Sequence, residues 1–87
     1  MSLDRIRLAK RRTIGTNQTI KVLMQANAHA RVKQVFVAKD AERRVVNPIV
    51  ALADEKGVPI EWVETMKQLG KACGIEVGAA TAAVLEE

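Results

Sequence analysis

The sequence predicts an α/β protein, a three-layer α/β/α sandwich around a small mixed sheet of four strands. Segments with helical spacing of apolar residues alternate with short apolar runs along the chain, as expected for a sheet covered by helices. The run 35-VFVA-38 is apolar at every position, which is typical of a central strand buried on both faces. A chain of 87 residues suits one domain, residues 1–87, with a single core.

The first quarter of the chain predicts a basic helix and a short strand. Ser2 can cap a helix that runs to about Lys10, with arginines on its exposed side. Residues 13–14 can then form a short strand before Gly15.

A second helix is predicted from the spacing of its apolar residues. Either Thr16 or Asn17 is expected to cap it, and it should run to about Asn27. The residues expected to face the core are Ile20, Leu23 and Met24. A polar turn over residues 28–33 then leads into the central strand, which should end at Asp40.

A third helix is predicted to begin at the dipeptide Asn47-Pro48, because asparagine is a good N-cap and proline suits the first helical position. Gly57 should end this helix. The residues that repeat at helical spacing between these points are Ile49, Leu52, Ala53 and Lys56.

The last third predicts a strand, a helix and a strand. Alternation over residues 60–63 indicates the first strand. Thr65 and Gln68 form a capping box that opens a fourth helix, and Gly74 should end it. The small apolar run 79-AATAAVL-85 then predicts the final strand.

Positive charge is concentrated at the beginning of the chain. Residues 1–21 contain six basic residues and one acidic residue, a net +5, whereas residues 22–87 contain eight basic and nine acidic residues, a net −1. This asymmetry favours a polyanionic partner over a basic helix that serves only solubility. With no tyrosine, one phenylalanine and one tryptophan, the chain lacks an aromatic ladder for single-stranded nucleic acid. A structured nucleic acid or an acidic protein fits better.

The chain lacks the usual residues of an active site. Cys73 is the single cysteine and is expected to be a buried apolar residue, and the single histidine, His29, is expected on a surface loop. The glycines of 70-GKACG-74 fit a helix end better than a phosphate loop. Four carboxylates that could serve a catalytic site are expected instead to lie exposed to solvent: Asp54, Glu55, Glu61 and Glu64. We therefore expect a non-enzymatic, cytoplasmic monomer without metal, cofactor or membrane span.

The start of the second helix carries more polar side chains than capping requires. At 100° per residue, Asn17, Gln18 and Lys21 share one face, with Thr16 at the helix start. Amides can contact base edges, a lysine can contact phosphate, and Gly15 allows close backbone approach. Periodicity alone fits equally well with a capped helix whose other polar residues are merely solvated.

Three separated blocks of sequence resemble one known family. The blocks 15-GTNQTIK-21, 35-VFVAKDAE-42 and 66-MKQLGKACGIEVGAA-80 are similar, in this order, to the kink-turn RNA-binding family of ribosomal proteins L7Ae and L30e, and most of all to its small bacterial members. The resemblance covers nearly the whole chain. It implies an α/β/α sandwich that inserts its second helix into a kink-turn, at tandem sheared G·A pairs beside a three-nucleotide bulge.

The resemblance also implies which residues contact the RNA. A Gly-x-Asn-Glu-x-x-Lys pattern reads the G·A pairs in the family, and it falls on Gly15, Asn17, Gln18 and Lys21, with glutamine in place of the usual glutamate. The amide can still accept a hydrogen bond but lacks the charge that strengthens one. The family holds a bulged base in a pocket that corresponds here to Glu42, Val46, Lys67, Ile75, Glu76 and Val77.

Without the resemblance, the residues of this pocket allow more than one interpretation. The segment 75-IEV-77 could pack on an unstacked base, or Ile75 and Val77 could begin the core face of the last strand. Lys67 in the first turn of a helix opposes the helix dipole, which favours a role in binding an anion.

The leading hypothesis is therefore a protein that stabilises kink-turns in structured RNA, ribosomal RNA among the candidates. The alternative is a protein-interaction subunit that binds an acidic partner through its basic first quarter. A weaker alternative is a small metal-dependent hydrolase that uses the scattered carboxylates.

Overall fold

The structure, a computed structural model, describes residues 6–9, 11–25 and 31–85. Within these residues, helices and strands alternate as the sequence predicts. Helical residues 6–8 form α1, and the later elements are β1 Arg12–Ile14, α2 Thr16–Met24, β2 Val32–Ala38, α3 Arg43–Lys56, β3 Ile60–Val63, α4 Met66–Ala72 and β4 Thr81–Leu85.

The four strands form one mixed sheet in the order β1-β4-β2-β3. β2 is parallel to β3, and β4 lies antiparallel to both β1 and β2. Every residue of β4 is buried, as are residues 34–38 of β2, so helices must cover both faces of the sheet. The predicted α/β/α sandwich with a mixed four-stranded sheet is confirmed.

The helices form two layers around this sheet. α2 and α3 pack against each other, whereas α4 packs against β2, β3 and β4. The side chain of Arg12 joins α1 to the end of α4, because its guanidinium donates to the carbonyl oxygens of Ile6 and Cys73, both at 2.9 Å. Phe36, Ile6 and Leu23 are the largest of the fully buried side chains that form the core.

The strand register places several chain segments at one edge of the sheet. Ile14, Ala38 and Val63 end β1, β2 and β3, and Thr81 begins β4. The pairs Ile14–Ala82, Val37–Thr81 and Ala38–Val63 bring these four strand ends together. We call this the loop edge: from it leave the start of α2, residues 39–42, the start of α4 and residues 75–80.

The third helix begins earlier than predicted. Its N-cap is Glu42, and Pro48 lies inside the helix instead of at its first position. Val46, in the first turns, is only 1% exposed, so its burial in the core holds this end of the helix. Gly57 ends α3 in the left-handed conformation, as predicted, with its amide bonded to the carbonyl of Asp54.

The predicted core face of the second helix is partly wrong. Leu23 is fully buried, but Met24 is 67% exposed and Ile20 is half-buried, in a groove shared with residues of α3. Thr19 is instead fully buried, and its hydroxyl forms a hydrogen bond of 3.3 Å with the hydroxyl of Thr13. A hydrogen-bonded pair thus allows a polar residue to occupy the face that periodicity assigned to apolar ones.

The last third of the chain agrees with the prediction. The strand over residues 60–63 and the final strand are both present, and Cys73 is buried as expected. The hydroxyl of Thr65 accepts a hydrogen bond from the amide of Gln68 at 3.0 Å, which is the predicted cap of α4. The first two helices end earlier than predicted: residue 9 is no longer helical, and α2 ends at Met24 with Gln25 as its C-cap, before Lys10 and Asn27. His29 lies outside the described residues.

Candidate functional site

The start of α2 lies at the loop edge with its backbone amides exposed to a ligand. Gly15, not Thr16 or Asn17, is the N-cap, and no side chain caps the helix. The Gly15 amide donates to the Thr81 carbonyl at 2.8 Å, so the chain enters the helix one residue earlier than predicted. The first intrahelical bond runs from the Thr19 amide to the Gly15 carbonyl, which leaves the first-turn amides without a helical acceptor.

The electrostatics of this helix start favour an anion or another hydrogen-bond acceptor. The first turn contains no acidic residue, so no carboxylate of the helix competes for its amides or its positive dipole end. Gly15 has φ 96° and ψ 159°, and a β-carbon added there would meet no atom within 4 Å. A ligand can therefore approach the backbone closely at this residue.

One exposed face of α2 continues from this start. Asn17, Gln18 and Lys21 are all exposed, and Thr16 is half-buried beside them. Within the described part of the chain, no hydrogen bond or ion pair holds the side chains of these three exposed residues. Two amides and one ammonium are therefore available on a single face, as the helical spacing predicts.

The loop over residues 75–78 also lies at the loop edge and is held against α4. The Ile75 amide donates to the Gly70 carbonyl, and the Ala79 amide to the Met66 carbonyl, both at 3.0 Å. A β-carbon at Gly70 would overlap the carbonyl oxygen of Val77, so the loop rests directly on the backbone of the helix.

The side chains of this loop differ in exposure. Val77 is 70% exposed and Glu76 is exposed, whereas Ile75 is half-buried against the core. Because β4 begins only at Thr81, residues 75 and 77 do not form the start of the last strand. The structure therefore excludes the strand alternative for this segment and leaves an exposed valine at the loop edge.

The other predicted pocket residues are divided between surface and core. Glu42 and Lys67 are exposed at the loop edge, and Glu42 forms an ion pair of 3.1 Å with Arg44. Val46 is buried, so its side chain offers almost no surface to a ligand. Of the predicted set, the structure thus places the start of α2, the segment 75–77, Glu42 and Lys67 at the loop edge, whereas the side chain of Val46 is buried in the core.

Asp40 and Gly70 were not predicted as site residues, although both position the loop edge. A carboxylate oxygen of Asp40 accepts from the Met66 amide at 2.8 Å, which fixes the start of α4 against the loop after β2. Gly70 permits the close approach of residues 77–78. The sequence signal for Gly70 was a glycine inside a capped helix, where alanine would be more stable unless space is required.

Arg12, one of the basic residues in the first quarter of the chain, is half-buried. Its two bonds to the carbonyls of Ile6 and Cys73 engage the guanidinium inside the fold. Burial raises the pKa of the adjacent Cys73 thiol, and the positive charge of Arg12 offsets this only in part. Cys73 is accordingly a buried thiol in its neutral form.

The described residues contain no group of three or more histidine, cysteine, aspartate or glutamate side chains that could hold a metal ion. Asp54, Glu55 and Glu64 are exposed as predicted, and Glu64 pairs with Lys39 at 2.7 Å. Glu61 is half-buried and accepts from Gln34 at 3.2 Å. Among the same residues, no helix has the length and apolar character needed to cross a bilayer.

Comparison with solved structures relates this fold to known proteins. The chain superposes on the Giardia lamblia 15.5kD RNA binding protein with a TM-score of 0.84, covering 99% of this chain and 72% of that one at 22% identity. A Bacillus halodurans protein described as having unknown function superposes with a TM-score of 0.78, covering 97% of this chain and 80% of that one at 19% identity. At these identities the likeness concerns the fold alone.

Comparison with protein sequences finds relatives of higher identity than these structures. An RNA-binding protein of Halalkalibacterium halodurans is 51% identical over 84 residues, covering 97% of this chain and 98% of that protein. An RNA-binding protein of Bacillus pumilus is 48% identical, covering 98% of this chain and 99% of that protein. The large ribosomal subunit protein eL8 of Halobacterium salinarum is 44% identical, covering 82% of this chain and 57% of that protein.

A family model described as the ribosomal protein L7Ae/L30e/S12e/Gadd45 family matches residues 3–87. This range contains all three blocks on which the resemblance was based, so the resemblance is confirmed. The chain is therefore a member of the ribosomal protein L7Ae/L30e/S12e/Gadd45 family.

Proposed function

We propose that this protein binds structured RNA at a kink-turn and stabilises its bent form. RNA as the ligand is supported by the family and by relatives that are named RNA-binding proteins and match over nearly their whole length. The same names and family confirm the expectation that the protein is not an enzyme. The kink-turn itself is the narrower part of the proposal and needs its own argument.

The observation that carries the proposal is the exposed start of α2. Asn17, Gln18 and Lys21 share one face, and none is engaged within the described part of the chain. Amide side chains offer both donors and acceptors, which suits the exposed edges of non-Watson–Crick base pairs. Unpaired first-turn amides and the nearby lysine suit phosphate.

The loop over residues 75–78 supplies a different contact. Val77 is an exposed apolar side chain beside an exposed glutamate, on a loop that lies against α4. An unstacked nucleotide can pack on such an apolar surface, whereas a base within a regular duplex cannot reach it. A bent RNA with a bulge presents both kinds of feature at once, so the two parts of the loop edge fit one ligand.

Stabilisation of the bend follows from this selectivity. If the protein binds the bent RNA and not the extended one, the bent population rises in proportion to the difference in affinity. No bond is made or broken, so the protein acts through binding energy alone.

The first test compares two RNAs at one moderate salt concentration. One fluorescent RNA contains a kink-turn, and in the other the sheared G·A pairs are replaced by Watson–Crick pairs. We expect tighter binding to the first, with its ends brought closer together in energy-transfer measurements. Equal affinities without a change in end-to-end distance would contradict kink-turn recognition.

The residues of the site are tested with Asn17→Ala and Lys21→Ala. Each should weaken binding of the kink-turn RNA by about 1–3 kcal/mol, since each removes a contact to a base edge or phosphate. The controls are Gln25→Ala, an exposed amide at the far end of α2, and Lys56→Ala, at the opposite edge of the sheet. Unchanged affinity in both site variants, with circular dichroism showing intact folding, would remove α2 as the binding element.

A further inference from the structure

A basic cleft lies between α1 and α4, on the layer of the sandwich opposite α2. It has a volume of about 310 Å³ and is lined by Arg7, Gln68, Lys71 and Ala72. The described residues that line it thus carry a guanidinium, an ammonium and an amide, and none of these described residues is a carboxylate. A cleft with these groups is suited to an anion that also accepts hydrogen bonds, such as a phosphate group.

The cleft is connected to the loop edge by α4 itself. Lys67 lies in the first turn of this helix, at the loop edge, and Lys71 follows four residues later on the neighbouring turn. The rise between them is about 6 Å, and residues four apart lie on the same side of a helix. Lys67, Lys71 and Arg7 therefore form one basic strip that runs from the proposed RNA site back into the cleft.

Both lysines of this strip are available to a ligand. Lys67 and Lys71 are exposed, and neither forms an ion pair within the described residues. The ion pairs seen nearby involve Lys39 with Glu64 and Arg44 with Glu42 instead. Within the described residues, the positive charges of Lys67 and Lys71 are thus not neutralised by an ion pair.

We propose that the basic strip is a second phosphate-binding surface, which contacts the sugar–phosphate backbone of an RNA arm that extends from the kink-turn. This inference rests on the proposed function, because only an RNA held at the loop edge, beside Lys67, would extend an arm along α4 toward Lys71. The strip contributes affinity but no sequence preference, since phosphates are the same in every arm. RNA backbone is favoured over an acidic peptide because the strip is continuous with the loop edge.

The test is the salt dependence of RNA binding in Lys71→Gln and Arg7→Gln. Dissociation constants are measured from low to moderate salt for the kink-turn RNA and for the RNA with replaced G·A pairs. The slope of log affinity against log salt should fall by about 0.7–0.9 for each phosphate contact that is lost. At moderate salt the affinity for both RNAs should fall by about three- to tenfold, so that their ratio stays the same.

Lys56→Gln is the matched control, because it removes the same charge at the end of α3, at the opposite edge of the sheet. Its salt slope should equal that of the unchanged protein. An unchanged slope and affinity in both Lys71→Gln and Arg7→Gln would overturn the second surface while leaving kink-turn recognition intact. Failure of the proposed function would instead appear as equal binding of the two RNAs by the unchanged protein.

A competing ligand is tested with polyglutamate. If Lys71→Gln weakens polyglutamate binding but leaves the RNA slope unchanged, the cleft takes acidic peptides and the proposal is wrong. The phosphate assignment stands if Lys71→Gln binds polyglutamate as tightly as the unchanged protein does, while its salt slope for RNA binding falls.

Discussion

Thr19 shows that neighbouring polar residues at the start of α2 have opposite roles. Asn17 and Gln18 point to solvent, whereas Thr19 is fully buried with its hydroxyl 3.3 Å from that of Thr13. This pair joins α2 to β1 from the inside. The polar residues at the helix start therefore form both an exposed polar face and the attachment of the helix to the sheet.

Thr81 is buried like Thr19, but its hydroxyl has no hydrogen-bond partner among the described residues. A buried hydroxyl without a partner costs folding free energy, so replacing it with a methyl group of similar shape should help. We expect Thr81→Val to raise the free energy of unfolding by about 1 kcal/mol, as measured by urea denaturation. Its affinity for RNA should not change, since the side chain is inaccessible.

The matched control for this prediction is Thr19→Val. This change makes the same chemical replacement but breaks the contact with Thr13, so it should lower the free energy of unfolding by about 0.5–1.5 kcal/mol. Equal losses in the two variants would mean that the Thr81 hydroxyl is bonded in solution.

At the scale of the element, α4 packs closely against the loop that follows it, at Gly70. We expect Gly70→Ala to weaken RNA binding, because the new β-carbon would overlap the Val77 carbonyl and displace residues 75–78. In an isolated helix the same change would stabilise by about 1 kcal/mol. A loss of both stability and RNA affinity would therefore show that the loop must rest on the helix backbone.

The control for Gly70→Ala is Gly57→Ala. Gly57 has φ 70°, so alanine there costs about 1–2 kcal/mol of backbone strain, while a β-carbon meets no atom within 4 Å. This variant should lose stability, measured by thermal unfolding, but keep its RNA affinity, because Gly57 lies at the opposite edge of the sheet. If both variants lose affinity equally, general destabilisation explains the result and the loop contact is not required.

The start of α3 shows what local sequence could not predict about an element. Asn47-Pro48 is a good helix start by itself, but the helix begins at Arg43. Burial of Val46 and Ile49 in the core outweighs the poor N-cap residue Glu42 and the amide missing at Pro48. An N-cap preference is worth only about 1 kcal/mol, so the burial of core side chains can outweigh it.

The start of α2 differs for a related reason. Its cap was expected at Thr16 or Asn17, yet the bond between the Gly15 amide and the Thr81 carbonyl fixes the entry of the chain. That bond depends on the pairing of β1 with β4, strands about seventy residues apart in the chain. Local sequence predicted the helix and its exposed polar face, and only the sheet register determined where the helix begins.

At the scale of the whole molecule, the candidate site is a product of the strand order β1-β4-β2-β3. The sequence predicted the individual strands from their composition, but composition does not specify which strands are neighbours. The central position of β4 brings the start of α2 and the loop over residues 75–78 to one edge. The resemblance to the family implied that both segments contact one RNA, but the strand pairing that brings them to the same edge is seen only in the structure.

A site confined to one edge predicts a localised hydrogen-exchange footprint. Binding slows global unfolding and so protects core amides everywhere, which makes those amides uninformative. Amides that exchange by local opening report the contact itself. Among these, we expect kink-turn RNA to slow exchange at residues 16–18 and 75–78, and not at residues 57–60 at the opposite edge.

The contrast between the two edges makes this prediction strict. The amides of residues 16–18 have no helical acceptor, so a bound phosphate or base must protect them directly. Mass spectrometry of the protein with and without RNA resolves the two segments. Protection at residues 57–60 without protection at residues 16–18 would place the RNA on the opposite edge, and both the α2 site and the basic strip on α4 would then have to be abandoned.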